Sequence, residues 1–572
     1  MAETLLSPGV LARENDLSAI TAQPIQAGAA IIGPTVKGPV GIPTLVTSYS
    51  EYAAAFGTTF TSASLQQEFL TSNSAYNYFN NGGTTLLVTR VVSGSFTSAT
   101  STNISGSGVA VATSFTLKTF GEGAIMNSSG SEVNGALVSG SSDNLRWEVA
   151  GFSTSSGTFS LLIRRGDDNT SEKTVLESYA NLSLDPTAPN YISKVIGDSF
   201  KTVNTSDTTP YVQDNGTYPN RSRYVYVSAV NSKTSQYFDN NGDFKSEYTS
   251  SLPAIASGSF ESATGQVYFN TAGAAFNESI TTAANIQGLN NTNYTTSIDL
   301  LSNQDEYIFN SITVPGIMIE TAPSTTTKLI NMVQERGDAL AIIDASVYGS
   351  TLLAMTAEAS SYNSSYAAVY APWLQTTSPE TGELVWVPAS TMIPGVYAYN
   401  DRVGEAWFAP AGLNRGGLAT VVRPERKFSQ SNRDTLYQGK VNPIASFPGS
   451  GVVVFGQKTL QTKASALDRV NVRRLLIQLK SFISQIADNL VFEQNTIATR
   501  NAFLSQVNPY LESVQQRQGL YAFKVIMDDS NNTADVIDRN ELIGQIYLQP
   551  TKTAEFIYLD FNVLPTGATF PS

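Results

Sequence analysis

Three short stretches of this 572-residue chain contain residue types that could bind a ligand or a metal ion. The first, GVVVFGQKT at 451–459, resembles a glycine-rich phosphate-binding loop, in which backbone amides and a lysine hold the phosphate. In that motif the lysine directly follows the second glycine, whereas here Gln457 stands between Gly456 and Lys458. The apolar residues between the glycines indicate a strand instead. We therefore expect no nucleotide and no other cofactor.

The other two stretches are acidic and lie close together. The sequence DDSNNT at 528–533 resembles the start of a calcium loop, but such a loop needs glycine at its sixth position and glutamate at its twelfth, where this chain has Thr533 and Arg539. Three more carboxylates are spaced by three residues and share one helical face, namely Asp535, Asp538 and Glu541. We interpret both stretches as solvated surface, and we expect no metal site and no catalytic site.

Histidine and cysteine are absent from the whole chain. Disulfides, cysteine–zinc sites, thiol nucleophiles, Ser-His-Asp triads and imidazole acid–base catalysis are therefore excluded. Enzymes that use carboxylate pairs or lysine stay open, so a carboxylate-based glycosidase is one alternative. Such an enzyme would lose its hydrolytic activity on substitution of one aspartate or glutamate.

The charge is distributed unevenly. The net charge of −13 argues against nucleic-acid binding, which requires lysine and arginine to neutralise phosphates. Residues 401–480, in contrast, hold 13 Lys/Arg and 5 Asp/Glu. This region is either a solvated positive face or a docking surface for an acidic partner. Patches of opposite charge in one chain also suit head-to-tail self-assembly, in which the basic face of one copy meets the acidic face of another. We find no 18-residue apolar run and no export signal, so we expect no membrane insertion.

Patterning along the chain predicts an α+β multidomain fold. Residues 21–92 and 301–460 form a discontinuous α/β core domain, in which strand 305–318, helix 324–336 and a strand near 340 make a strand–helix–strand unit. Residues 93–300 are rich in Ser, Thr and Gly with short alternating runs, which indicates an inserted β-rich region of sandwich or barrel type, in one or two lobes.

Residues 461–572 are predicted to form a C-terminal domain of helices and sheet. A capping-box-like start at 465–468 begins a helix that runs to about Leu490, with one apolar stripe and a basic flank of Arg469, Arg473 and Lys480. A second helix begins near Thr496 and restarts at Pro509. Two strands follow, at 542–549 and 554–563.

Both ends of the chain carry apolar segments that need a partner. The first 20 residues form an arm with Leu5, Leu6, Pro8, Gly9 and Val10. The last predicted strand contains Phe556, Ile557, Tyr558, Leu559, Phe561 and Val563. An exposed strand of this kind is an aggregation hazard, so it must pair within its own sheet or with another chain.

Several segments together resemble one family. The carboxy-terminal segments are the most specific, and the full set is SPGVLARENDLS, GPVGIPTLVTSYSEYAAAFG, YFNNGGTTLLVTRVV, QERGDALAIIDA, ALDRVNVRRLLIQLKSFI, FEQNTIATR, VNPYL and GLYAFKVIMDDSNNTADVIDRNELIGQIYLQPTKTAEFIYLDF. These segments resemble the contractile phage tail sheath proteins, which also occur in related contractile injection systems. The resemblance covers about 1–92 and 305–572, and the region 93–300 fits the family's variable outward-facing insertions.

The resemblance implies a structural subunit and not an enzyme. Such subunits stack as hexameric rings around an inner tube, and their contraction drives the tube through a cell envelope. The implied partners are other copies of the chain, the inner tail tube protein, and baseplate and tail terminator proteins, with no direct nucleic-acid contact. The implied location is the virion tail, assembled in the host bacterial cytoplasm.

The resemblance also implies that the terminal arms add strands to the C-terminal domains of neighbours. By hypothesis, the basic flank of Arg469, Arg473 and Lys480 faces the tube. The alternative function is a surface or receptor-binding β-rich protein, in which residues 93–300 would bind carbohydrate or cells.

Overall fold

The structure, a computed structural model, describes residues 25–62, 64–108, 113–266 and 275–557, with residues 25–27 described as backbone only. Eight strands form its central sheet. Their order is Gly451–Val454, Val441–Phe447, Ala367–Ala371, Leu340–Asp344, Ser311–Met318, Ala29–Gly33, Leu86–Arg90 and Thr44–Val46. The six inner strands are parallel, and the strand at each edge is antiparallel to its neighbour.

The inner strands read as continuous buried runs because helices cover the sheet on both faces. Around the sheet lie the helices Tyr49–Phe56, Leu70–Asn80, Thr295–Leu300, Pro323–Arg336, Leu352–Ser360, Ile393–Val403 and Gln430–Gln438. The predicted strand–helix–strand unit is confirmed as Ser311–Met318, Pro323–Arg336 and Leu340–Asp344. Proline at the first helical position and Gly337 in the left-handed conformation set the ends of its helix.

A second sheet lies beyond the core and is named here the outer sheet. Its seven antiparallel strands are, in order, Val175–Ser183, Thr158–Arg165, Leu145–Ser153, Ala256–Glu261, Ser98–Ser101, Phe115–Glu122 and Val225–Val230. All of them fall inside the Ser/Thr/Gly-rich region. They form one sheet around one buried apolar cluster, whereas the sequence indicated a sandwich or barrel.

Smaller ladders and short helices complete the central and outer parts. Four ladders have two strands each: Ile25–Ala27 with Tyr307–Phe309, Thr59–Ser62 with Leu65–Glu68, Glu132–Val133 with Ala136–Leu137, and Phe200–Asn204 with Tyr211–Asn215. A fifth has three strands, in the order Leu384–Val387, Leu374–Thr377 and Val421–Pro424. The short α-helices are Ile192–Val195 and Ser246–Thr249.

The boundary of the inserted region differs from the prediction. The residues Phe276, Ile280, Ile286, Tyr294 and Ile298 are buried, and the last four belong to the main core cluster under the central sheet. The predicted end of the insertion at 300 is therefore wrong. Composition assigned residues 275–300 to the insertion because Asn and Thr dominate this stretch. The few apolar residues between them nevertheless pack into the main core cluster.

The C-terminal domain has its own apolar cluster, built from two helices and a hairpin. The first C-terminal helix is Val470–Asp488, preceded by a 3-10 turn Ala466–Asp468, and the second is Ile497–Gln516. The C-terminal hairpin pairs Leu520–Ile526 with Gln545–Pro550, and the short helix Ala534–Asp538 lies between its strands. None of the helices in the described ranges is long and apolar enough to cross a membrane.

Three details of this domain correct the prediction. The second helix runs without a break through Pro509. The strand Leu520–Ile526 was missed, because only one turn of chain separates it from the helix and its alternation is partly polar. The strand predicted at 554–563 does not begin where expected, since residues 551–557 form no strand.

Candidate functional site

Both edges of the C-terminal hairpin are unpaired within the part of the chain that the structure describes. Among the residues that the structure describes, each of its two strands pairs only with the other, from Leu520 opposite Pro550 to Ile526 opposite Gln545. A two-stranded sheet is marginally stable in water, and an unpaired edge presents a row of backbone donors and acceptors. The hairpin can therefore accept further strands by main-chain hydrogen bonding.

The two faces of the hairpin differ. Phe523, Val525, Ile546 and Leu548 pack against the C-terminal apolar cluster, which includes Val507, Leu511 and Val514 of the second helix. The opposite face is exposed, with Tyr521 at 64% and Tyr547 at 56% relative exposure. The hairpin is thus anchored on one side and accessible on the other side and at both edges.

A loop of the central part inserts into the C-terminal domain. Trp407 is buried in the C-terminal apolar cluster, and its indole nitrogen donates to the Arg517 carbonyl oxygen at 3.0 Å. The Arg517 guanidinium lies 5.0 Å from the centre of the Trp407 ring and pairs with Glu405 at 2.8 Å. Arginine over an aromatic face adds electrostatic attraction to the packing. The loop around 404–409 therefore joins the two parts.

Arg474 forms a second connection at this junction. Its side chain is buried, pairs with Asp401 at 2.5 Å and lies 4.6 Å from the centre of the Tyr397 ring. Burial disfavours its charge, but Asp401 and the neighbouring tyrosines outweigh this effect and raise the pKa of Arg474 above its usual value. The first C-terminal helix is thus held to the helix Ile393–Val403 by the Arg474 guanidinium, which remains protonated.

The chain returns to this junction after the hairpin. The Glu555 carboxylate accepts hydrogen bonds from Arg469 Nε at 2.7 Å, Arg469 Nη2 at 2.9 Å, the Tyr437 hydroxyl at 2.8 Å and Gln457 Nε2 at 3.0 Å. Partial burial raises the pKa of Glu555, but these donors outweigh the burial and lower it below the usual value. Sequence reasoning missed this cluster, because its members are far apart in the chain and follow no common period.

The predicted arm residues are only partly described. Phe556 and Ile557 follow Glu555 directly and are 69% and 76% exposed. Their predicted continuation, Tyr558, Leu559, Phe561 and Val563, lies outside the described residues, and so do Leu5, Leu6, Pro8, Gly9 and Val10.

The three predicted basic residues do not share one exposed strip. Arg469 occupies the N-cap position of the first C-terminal helix, and its side chain is bound to Glu555. Arg473 is buried, donates to the Ser365 hydroxyl and lies 4.0 Å from the centre of the Tyr366 ring, and burial lowers its pKa. Lys480 is exposed and donates to the Tyr366 hydroxyl at 3.2 Å. A helical projection groups the three residues but does not show what packs against each of them.

The other candidate stretches are structural. Gly451–Val454 is an edge strand of the central sheet, as interpreted, and Lys458 lies 4.3 Å from the centre of the Tyr437 ring. Asn532 is buried and holds the acidic loop by accepting from the Ile543 amide at 2.9 Å and donating to the Ile543 carbonyl at 2.8 Å. The three spaced carboxylates of this loop are exposed around Arg539.

Comparison with known proteins finds matches for the central and C-terminal parts of this chain. Residues 287–460 match the phage tail sheath protein central domain, and residues 462–564 match the phage tail sheath C-terminal domain. The chain is 44% identical over 185 residues to the tail sheath protein of Vibrio phage KVP40 and 39% identical over 185 residues to that of Enterobacteria phage T4. Each match covers 32% of this chain and 28% of the relative, so the chain matches less than a third of the length of these proteins.

Solved structures resemble the fold over a longer range. The crystal structure of the sheath tail protein from Listeria innocua aligns with 92% of this chain and 95% of its own, at a TM-score of 0.51 and 10% identity. At this identity the likeness concerns the fold alone. The open hairpin lies in the range that matches the sheath C-terminal domain, whereas the Glu555 cluster joins Arg469 and Glu555 of that range to Tyr437 and Gln457 of the central-domain range.

Proposed function

This chain belongs to the contractile phage tail sheath family, and on that premise we propose that it polymerises as stacked hexameric rings around an inner tube and contracts to drive the tube through a target cell envelope. The family is a structural one, and its phage members are components of the virion tail. The proposed partners are other copies of this chain, the inner tail tube protein, and the baseplate and tail terminator proteins. The proposed place of assembly is the cytoplasm of the host bacterium.

The open C-terminal hairpin is the observation that supports this proposal. Within the described part of the chain, its two strands leave both edges unpaired while one face stays anchored on the C-terminal apolar cluster. The apolar segments at the two chain ends supply candidate strands of suitable composition, around Leu5–Val10 and from Phe556 onward. Strand addition between copies would link subunits through backbone hydrogen bonds, which can persist while the rest of each subunit rotates.

Deletion of residues 1–20 tests the linking role of the N-terminal arm. We expect a folded protein that no longer polymerises, because the hairpin would lack one donor strand. Negative-stain microscopy of the full chain should show tubes in a long, narrow form and a short, wide form, and the deletion variant should show none. Tubes of normal length and width from the deletion variant would contradict the arm's role.

For tube contact, the structure leaves Lys480 as the most accessible of the three predicted basic residues. Its side chain projects from the first C-terminal helix and is exposed, whereas Arg473 is buried against Tyr366. A single exposed ion pair contributes only about 0–1 kcal/mol, but the contact would repeat at every subunit. We propose that Lys480 faces an acidic surface of the tube in the extended state.

The substitution Lys480→Glu tests this contact. Because charge reversal replaces attraction by repulsion at every subunit, we expect the variant to lose the extended form when it is co-produced with the tube protein. Lys463→Glu is the matched control, since Lys463 is also exposed but lies before the helix. If Lys480→Glu and Lys463→Glu both assemble extended sheaths at the level of the natural chain, Lys480 does not face the tube.

A further inference from the structure

The segment after the C-terminal hairpin, residues 551–555, is held by hydrogen bonds at its two ends, and the two ends contact different parts of the molecule. At its start, the Thr551 hydroxyl donates to the Gln518 carbonyl at 2.6 Å and the Thr551 amide donates to the Gly519 carbonyl at 3.2 Å, both within the C-terminal domain. At its end, Glu555 is bound at the junction with the central part. The segment therefore spans from one domain to the other.

Three different segments of the chain supply the hydrogen-bond donors around Glu555. Tyr437 comes from the helix Gln430–Gln438, Gln457 from the connection between the domains, and Arg469 from the start of the first C-terminal helix. Lys458 positions the tyrosine, because its ammonium group donates to the Tyr437 carbonyl at 2.8 Å and lies over the ring. The carboxylate thus meets donors that three segments already hold in place.

Polar contacts alone hold the segment at this end. Lys552, Thr553 and Ala554 are exposed, and among the described residues the one further contact is made by the Thr553 hydroxyl, which accepts from Gln457 Nε2 at 2.7 Å. Opening this end would break hydrogen bonds and one ion pair but would expose no apolar core. Both domains could therefore stay folded while the segment is released.

We propose that Glu555 is a latch that sets the length of chain free to reach a neighbouring copy. The inference rests on the proposed function, in which residues beyond Glu555 join another subunit. With the latch closed, the length of chain that can reach a neighbour is counted from Phe556, and it begins there. With the latch open, it begins after Thr551, which adds four residues and about 14 Å of reach in an extended chain. That distance is about three times the spacing of neighbouring strands in a sheet.

The latch gives a sheath subunit two lengths of connection to its neighbour. A closed latch sets a short, defined distance between the body and the donated strand. An open latch allows that distance to grow without loss of the strand itself. Arg469, Tyr437 and Gln457 are positioning residues in this scheme, and Glu555 is the group that they hold.

Cleavage after Lys552 reports the state of the latch in the soluble full-length chain. A lysine-specific protease needs an extended, unbound segment, so the rate of release of fragment 553–572 tracks the population of the open form. We expect Glu555→Ala to release this fragment at least about ten-fold faster than the natural chain, because it removes four hydrogen bonds and the loss of one charge-assisted hydrogen bond already corresponds to about ten-fold. Arg469→Gln should act in the same direction.

Glu541→Ala is the matched control, because Glu541 is an exposed carboxylate of the same domain whose ion-pair partner is the exposed Arg539. It should release the fragment at the natural rate. Thermal unfolding of each variant, followed by tryptophan emission, separates opening of the latch from unfolding of the domain. Equal release rates for Glu555→Ala, Arg469→Gln and the natural chain would overturn the latch.

A second measurement separates the latch from the proposed function. If the natural chain forms tubes, we expect Glu555→Ala tubes to show a broader distribution of axial spacing by electron microscopy. Identical spacing in fast-cleaving variants would refute the length-setting role, although the segment opens. Failure of the natural chain to form any tube would instead refute the proposed function, while the protease result would still stand for the contact itself.

Discussion

Glu68 should make the central domain less stable as the pH rises from 5 to 8. Its carboxylate is buried, accepts from the Ser72 hydroxyl at 2.7 Å and the Ser378 hydroxyl at 2.6 Å, and has its pKa raised by burial from 4.5 to about 7. Between these two values the folded chain holds a proton that the unfolded chain has lost. The free energy of unfolding must therefore fall as the pH rises through this range.

The size of the effect follows from the pKa difference. Each pH unit in this range lowers the free energy of unfolding by up to about 1.4 kcal/mol. The titration of Glu68 therefore lowers the free energy of unfolding by about 2.5 kcal/mol between pH 5 and pH 8. Glu68→Gln keeps the size of the side chain and removes the titration. We expect the variant to match the natural chain at pH 5 and to be more stable than it by about 2 to 3 kcal/mol at pH 8.

Urea unfolding at the two pH values measures this difference, with hydrogen exchange in the helix Leu70–Asn80 reporting on the central domain. Asp344 is also buried with a pKa raised to about 7, but it titrates in both proteins and cancels in the comparison. Glu383→Gln is the control, since Glu383 is exposed nearby. Parallel pH profiles of the natural chain and Glu68→Gln would refute the reasoning.

Three further substitutions probe the other parts of the chain. Asp168→Asn should destabilise the outer sheet by about 3 kcal/mol in calorimetry, because it removes the buried carboxylate charge that pairs with Arg164 at 2.7 Å and with Arg146 at 3.4 Å. Leu511→Ala should destabilise the C-terminal domain by about 3 kcal/mol in urea unfolding, since a fully buried side chain leaves a cavity. Asn532→Ala should make the acidic loop at 527–543 sensitive to proteases, because both hydrogen bonds to Ile543 are lost.

Each of these variants has an exposed neighbour as its control. Asp167→Asn, Glu512→Ala and Asp535→Ala change exposed side chains close to the three sites and should alter stability by less than about 0.5 kcal/mol. A control as damaging as its partner would show that the stated contact is not the cause. Unchanged proteolysis of Asn532→Ala would mean that other contacts hold the acidic loop.

Local patterns predicted the parts of the fold that local spacing controls. The apolar stripe of the first C-terminal helix and the unit from Ser311 to Asp344 appear as expected, because a period of 3.6 or a continuous buried run needs no distant information. Composition was a weaker guide. It placed residues 275–300 with the outer sheet, although a few apolar side chains in that stretch pack under the central sheet.

The candidate site depended on contacts between distant residues. The sequence by itself determined that no histidine or cysteine chemistry is possible, which segments resemble a tail sheath, and that the first C-terminal helix has an apolar and a basic side. Only the tertiary structure decided what each basic residue does. Arg473 meets Ser365 across 108 positions, Lys480 meets Tyr366 across 114, and Arg469 meets Glu555 across 86. Helical periodicity relates residues within one helix, whereas burial and ion pairing depend on which other segments fold against it.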